Sequence, residues 1–202
     1  MYSDNIFVKR IDCWYDTLNI SKQLKSPPNS IKVIYDTNLE YVHKYKNTNI
    51  KFYDMDSIEC CLLHSPNALI LNLADDIFPG GCVAQGSGAQ EEALFRRTNY
   101  NMSLKQEFYP LLNGEAVYSD EISLIKTDEK TNWTLLDIDN LPKITFIACP
   151  GIKCPDTIIV NDEERLKNTD VESLKIQIRL IIQTAIKYNH DTIIFGAYIN
   201  AI

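Results

Sequence analysis

The chain has 202 residues, 45% of them apolar and 23% charged, with a formal net charge of −7. That length suffices for one domain with a full core. The acidic balance argues against binding a nucleic-acid backbone directly, which needs a basic surface, but not against a nucleotide held by backbone amides. No apolar run approaches the length of a membrane span, and the first residues lack the basic and apolar regions of a signal peptide, so an intracellular chain is expected.

Residues 1–30 read as an N-terminal extension packed on a domain that occupies residues 31–202. Within it, Ile6–Ile11 is expected as a short strand and Tyr15–Leu24 as a short helix, ended by Pro27-Pro28. Two similar units follow. The first is a strand Ile31–Tyr35 and a helix from Asp36 to Tyr45, with Thr37 and Glu40 as a capping pair. The second is a strand Ile50–Tyr53 and a helix from Asp56, with Asp56 and Glu59 in the same roles. A third strand, Ala68–Leu73, is apolar throughout and short enough to be buried. Strands alternating with helices imply an α/β sandwich with a substantially parallel sheet, whose ligands sit beyond the carboxyl ends of the strands.

The third strand runs into a loop holding Pro79, Gly80, Gly81, Gly86 and Gly88. A helix start follows, Gln90-Glu91-Glu92-Ala93-Leu94-Phe95-Arg96-Arg97, acids first and bases later as the helix dipole favours. Glycine lets backbone N–H groups approach a phosphate closely. No basic residue lies between Ile70 and Phe95, so a diphosphate here is expected on amide dipoles. Two carboxylates beside such a loop point to glycosidic chemistry on a nucleotide-linked sugar. The dinucleotide fingerprint fails, because Glu91 stands where its third glycine belongs, and the ATPase loop is absent.

Beyond the loop the chain reads as helical to Tyr109-Pro110. Ala116–Tyr118 and Ile122–Ile125 then form an antiparallel excursion that makes the sheet mixed. Ile144–Ala148 is a buried strand entering Cys149-Pro150-Gly151-Ile152-Lys153, where a plain turn is favoured over ligand roles for Gly151 and Lys153. Asp170–Tyr188 is the clearest helix, with Val171, Leu174, Ile178, Ile181, Ile182, Ala185 and Ile186 on one apolar face. His190 is expected exposed at its end, and Thr192–Ala197 as a final buried strand. His43, His64 and His190 have no partner spacing and none is a catalytic candidate. The six cysteines lack zinc-pair spacing, so neither a metal nor a cofactor is expected.

Gly80-Gly81-Cys82, a gap of seven residues and Gln90-Glu91-Glu92 resemble the signature of the poly(ADP-ribose) glycohydrolases. The flanking Asn72-Leu73-Ala74 and Pro79-Gly80-Gly81 are similar to the microbial and viral branch, as is Asp56-Ser57-Ile58-Glu59. The resemblance spans residues about 31 to 198 and implies a macrodomain-like three-layer α/β/α sandwich with a mixed, largely parallel sheet. It also implies hydrolysis of the ribose–ribose O-glycosidic bonds of poly(ADP-ribose), by a chain expected to be monomeric. In that pattern Glu92 is the general acid and then the base for water, and Glu91 orients ribose hydroxyls. Gln90 positions loop or substrate, and Gly80, Gly81, Cys82, Asn72, Ala74, Gly196 and Ala197 line the ligand. Cys82 stands where the pattern has a third glycine, which is tolerable if its φ is negative. Gly196-Ala197-Tyr198 begin a second phosphate loop whose remainder is replaced by Ile199–Ile202. A shortened loop raises the alternative of an ADP-ribose-binding or interaction module without turnover. Because adjacent helical residues point about 100° apart, Glu91 and Glu92 are not expected to aim at one atom.

Overall fold

The computed structural model describes residues 5–39, 47–153, 155 and 157–196. The chain opens with helix α1, Ile6–Ser21, capped by Asn5, whose side chain accepts from the Phe7 amide at 2.9 Å. The strand expected over Ile6–Ile11 is therefore the first part of this helix. Cys13, Trp14, Thr17 and Ser21 form its buried stripe at helical spacing, whereas Phe7 and Tyr15 face solvent.

Strand β1 covers Ile31–Ile34. Of the helix expected next, residues 40–46 lie outside the described residues, and Thr37 and Asn38 form a turn. The strand expected at Ile50–Tyr53 is not formed: Ile50 and Phe52 are 79% and 94% exposed, with no ladder partner to order them. Helix α2, Ser57–His64, begins where its capping signal places it, the Asp56 carboxylate accepting from the Ile58 and Glu59 amides. Glu59 does not cap in return; it pairs with Arg97 at 2.8 Å.

Strand β2, Leu69–Ala74, leads through the glycine loop to helix α3, Gln90–Arg97. The antiparallel excursion is one long strand, β3 (Glu115–Ser123), rather than two. A bulge between Ser119 and Ile122, with Glu121 at φ 56°, interrupts its ladder and makes it read as two segments. Strand β4 (Lys143–Pro150) follows, then a hairpin of β5 (Thr157–Val160) and β6 (Glu163–Leu166), helix α4 (Asn168–Lys187) and the short β7 (Ile193–Ile194).

The main sheet has the order β1-β3-β4-β2-β7. It is mixed, as expected: β4–β2 and β2–β7 are parallel, β1–β3 and β3–β4 antiparallel. Parallel pairing is thus confined to the side carrying the glycine loop. The period of two along β2 divides the core. Ile70 and Ala74 join Trp14, Ile58, Leu94 and Phe95 beneath α1, α2 and α3, while Leu69 and Leu71 join Leu180, Ile181 and Ala185 of α4 on the other face. These are the three layers of an α/β/α sandwich. Asn72, in phase with Ile70, therefore points at α3.

The buried face of α4 is rotated from the expected one. Gln177, Leu180, Ile181, Thr184 and Ala185 are buried, and Ile178 is 38% exposed. Polar residues enter this face because each finds a carbonyl: Gln177 donates to Pro150 O and Thr184 to Leu180 O, both at 2.8 Å. His190 is also buried rather than exposed, bonded to the Tyr118 hydroxyl at 3.0 Å and to Asn67 O at 2.8 Å. No helix among the described residues is long and apolar enough to cross a membrane.

Candidate active site

Gln90 fixes the start of α3 on β2. Its side-chain oxygen accepts from the Leu73 amide and its nitrogen donates to Leu71 O, both at 2.8 Å. Strand β7 pairs with β2 only at Leu69 and Ile70, so beyond that point the Gln90 amide completes the ladder as a strand would. Gly196 lies alongside; a Cβ there would stand 3.6 Å from Gln90 Nε2. Ala197 is outside the described residues. Ala74 packs in the core at the end of β2.

The next two residues carry the carboxylates. Glu91 is 3% exposed and accepts from Asn72 Nδ2 at 3.1 Å and from the Asp75 amide at 2.8 Å. Glu92 is 6% exposed and accepts from the Cys82 amide through Oε1 at 3.0 Å. The two do converge, against expectation. A Cβ on Gly81 would lie 2.8 Å from Glu92 Oε1 and 3.4 Å from Glu91 Oε2. The Cα–Cβ bonds diverge around the helix, but the long side chains bend back to the same loop residue. Burial pushes the Glu91 carboxyl up to about 7, against its donors Asp75 N, Asn72 and Gly80 N, and the charge of Glu92 adds to the rise.

Gly80 and Gly81 have φ of 80° and 50°, the left-handed region, and a Cβ on Gly80 would strike the Phe95 ring at 2.7 Å. Cys82 has φ −98°, so the side chain in place of a third glycine fits without strain. The expectation that these amides stand ready for phosphate is corrected by the structure. Gly81 N donates to Phe78 O and Val83 N to Gly80 O, closing turns. Cys82 N is held by Glu92, so the carboxylate takes the place of an anion in the loop.

Three further residues gather here: Asp75 and Tyr109, which the sequence pattern does not single out, and Lys153, for which the sequence favours a plain turn over a ligand role. Asp75 bonds the Ile77 and Phe78 amides and pairs with Lys153 at 3.3 Å; these donors hold its carboxyl below the usual range although burial works the other way. Lys153 also pairs with Asp76, so a cation from the turn after β4 stands at the carboxyl end of β2. The Tyr109 hydroxyl is buried without a hydrogen-bond partner among the described residues. Burial, then the charge of Glu91, raises its pKa. Its signal in the sequence was masked by Pro110, which reads as a break. Between Asp76, Pro150, Lys153 and Gln177 a cleft of about 190 Å³ opens past the carboxyl ends of β2 and β4. Among the described residues no group of acids, cysteines and histidines is placed to hold a metal.

A mixed-sheet α/β sandwich with two buried carboxylates converging under a glycine loop is the layout of a macrodomain-like hydrolase. The model of the microbial-type PARG catalytic domain, that of the poly(ADP-ribose) glycohydrolases, matches residues 8–127. The chain belongs to this family, whose members are glycoside hydrolases acting on poly(ADP-ribose). Among solved structures it is similar to poly(ADP-ribose) glycohydrolase from Thermomonospora curvata, with TM-score 0.72 at 16% identity over 94% of this chain and 79% of that one. The same enzyme bound to the inhibitor ADP-HPD gives TM-score 0.68 at 17% identity over 94% and 78% of the two chains. Poly(ADP-ribose) glycohydrolase from Deinococcus radiodurans in complex with ADP-ribose gives 0.52 at 17% identity over 70% and 59%. No curated protein matches the chain.

Proposed function

We propose that the protein hydrolyses the ribose–ribose O-glycosidic bonds of poly(ADP-ribose), releasing ADP-ribose, with Glu92 as general acid and then base. The observation that carries this reading is the convergence of both carboxylates on Gly81 in a member of this family. Cleavage passes through an oxocarbenium-like state, in which the leaving oxygen needs a proton and the attacking water needs a base. Among the described residues only one oxygen of Glu92 accepts a protein hydrogen bond, leaving the other for the reacting oxygen. Both oxygens of Glu91 are occupied, which suits an orienting role towards ribose hydroxyls. The neighbouring Glu91 carboxyl, pushed up to about 7 chiefly by burial, can hold a proton near neutrality. The diphosphate would take over the Cys82 amide, freeing Glu92, with Lys153, held by Asp75 and Asp76, available as a counter-charge.

The test uses labelled poly(ADP-ribose) with wild type and Glu92→Gln. Release of ADP-ribose by wild type, reduced at least about a hundredfold in the variant, is the expected result. A thermal shift with ADP-ribose and no release by either protein would instead establish a binding module.

A further inference from the structure

A second cavity, of about 490 Å³, opens on the far side of the glycine loop, between the start of α1, α3 and the turn at residues 128–133. That is the volume of a small-molecule site. Arg10, Gly88, Arg96, Lys130 and Trp133 contribute to its wall. Three carboxylates line it too, and all are engaged. Asp56 holds Arg97 at 2.8 Å, Glu129 holds Arg10 at 2.8 and 3.0 Å, and Asp128 accepts from the Thr131 amide and hydroxyl.

Arg96 is the exception. It is 1% exposed, its Nη1 donates to Ser87 O at 2.6 Å, and its Nε has no hydrogen-bond partner among the described residues. Among the described residues no carboxylate forms an ion pair with it; Glu129 and Glu92 act on it only at longer range, and burial with the charge of Arg10 works against its own charge. A buried charge without a direct ion-pair partner is costly unless something supplies one. Lys130 adds an exposed cation without an ion pair among the described residues, and Trp133 an aromatic surface.

The cavity also adjoins the carboxylates. Glu92 and Arg96 are four residues apart on α3 and share a face. One end of the loop meets Glu92 at Gly81 and Cys82; the other meets Arg96 at Ser87 and Arg10 at Gly88.

We propose that this cavity is a second nucleotide subsite, in which Arg96 and Lys130 take a phosphate and Trp133 lies against the base. A guanidinium and an ammonium suit a phosphate, and an indole suits any base through its π-face. This chemistry is shared by a free nucleoside phosphate and by an adjacent unit of an ADP-ribose chain; the second source rests on the function proposed above.

The test is a titration of the ¹⁵N-labelled full chain with AMP. Of the two indole N–H signals, the one missing in Trp133→Phe shifts and saturates, and Lys130→Glu and Arg96→Lys each weaken the midpoint by about tenfold. A Trp133 signal unmoved to about 10 mM AMP, or midpoints unchanged in both charge variants, overturns the proposal. A second arm compares a two-unit ADP-ribose oligomer with ADP-ribose on Glu92→Gln protein. Tighter oligomer binding, lost in Trp133→Ala, assigns the subsite to the polymer. Equal binding assigns it to a free nucleotide. Failure of wild type to cleave polymer while AMP still binds here would sink the glycohydrolase reading and leave this one standing.

Discussion

Gly81 sets the spacing of the two carboxylates. At φ 50° an alanine pays the left-handed strain of about 1 kcal/mol, and its Cβ would stand 2.8 Å from Glu92 Oε1. Gly81→Ala is therefore expected to push Glu92 off the Cys82 amide and lower kcat on polymer by about a hundredfold, the cost of a displaced reacting group. Cys82→Gly is the control. Cys82 already has a negative φ, so the change should leave kcat within about threefold and cost no more than ~1 kcal/mol of stability, read from a urea midpoint. If Gly81→Ala retains full activity, the convergence is incidental. Much at this scale was legible in the sequence. The order of strand, glycine loop and helix start, read with the family signature it resembles, brings Gly80, Gly81, Gln90, Glu91 and Glu92 together, and the tolerance of Cys82 turns on its φ. The convergence was not legible, because it depends on side-chain torsions that residue spacing does not encode. Nor was the occupation of the loop amides, which follows from where the helix carboxylates come to rest.

The junction of α3 with β2 depends on one side chain. Gln90 satisfies Leu71 O and Leu73 N where β7 has ended, so Gln90→Ala strips two partners from a buried strand. The expected loss is about 2–4 kcal/mol, with Gln90→Glu recovering at most one of the two bonds; urea unfolding of the three proteins measures it. A loss below about 0.5 kcal/mol would mean that water or another group completes the ladder. The other end of α3 is tied down by α1, where Thr17 and Cys13 donate to Arg96 O. Elements with a strong period or a capping residue, β2, α2, α3 and α4, were legible. Helix α1 was misread because Ile6, Phe7 and Val8 form an apolar run at its exposed start, which resembles a strand. The hairpin β5–β6 was missed: its turn residues Asn161 and Asp162 both have positive φ, as a tight hairpin requires, but without a glycine the turn is easily overlooked.

Across the whole molecule, α1, α2 and α3 pack on one face of the mixed sheet and α4 on the other, and Glu91 lies between α3 and β2. Its burial couples the chemistry of the site to the stability of the fold. The Glu91 carboxyl has a pKa of about 7 in the folded chain against 4.5 when solvated, so between these values the folded state binds more protons than the unfolded one. The contribution of this residue is thus fully present below about pH 4.5 and is lost as pH rises through 7, by about 3 kcal/mol in all. Asp75, Asp128 and Glu115, held below their usual range, act in the opposite sense and lose stability as pH falls, so the raw profile of the wild type is a sum. Glu91→Gln isolates the term, because glutamine resembles the protonated acid and cannot ionise. The stability of the variant relative to wild type should climb by about 3 kcal/mol between pH 4.5 and 8, whatever constant offset its amide introduces. Urea midpoints across that range measure the difference. Parallel curves for the two proteins would mean that Glu91 ionises in the folded state as readily as in water.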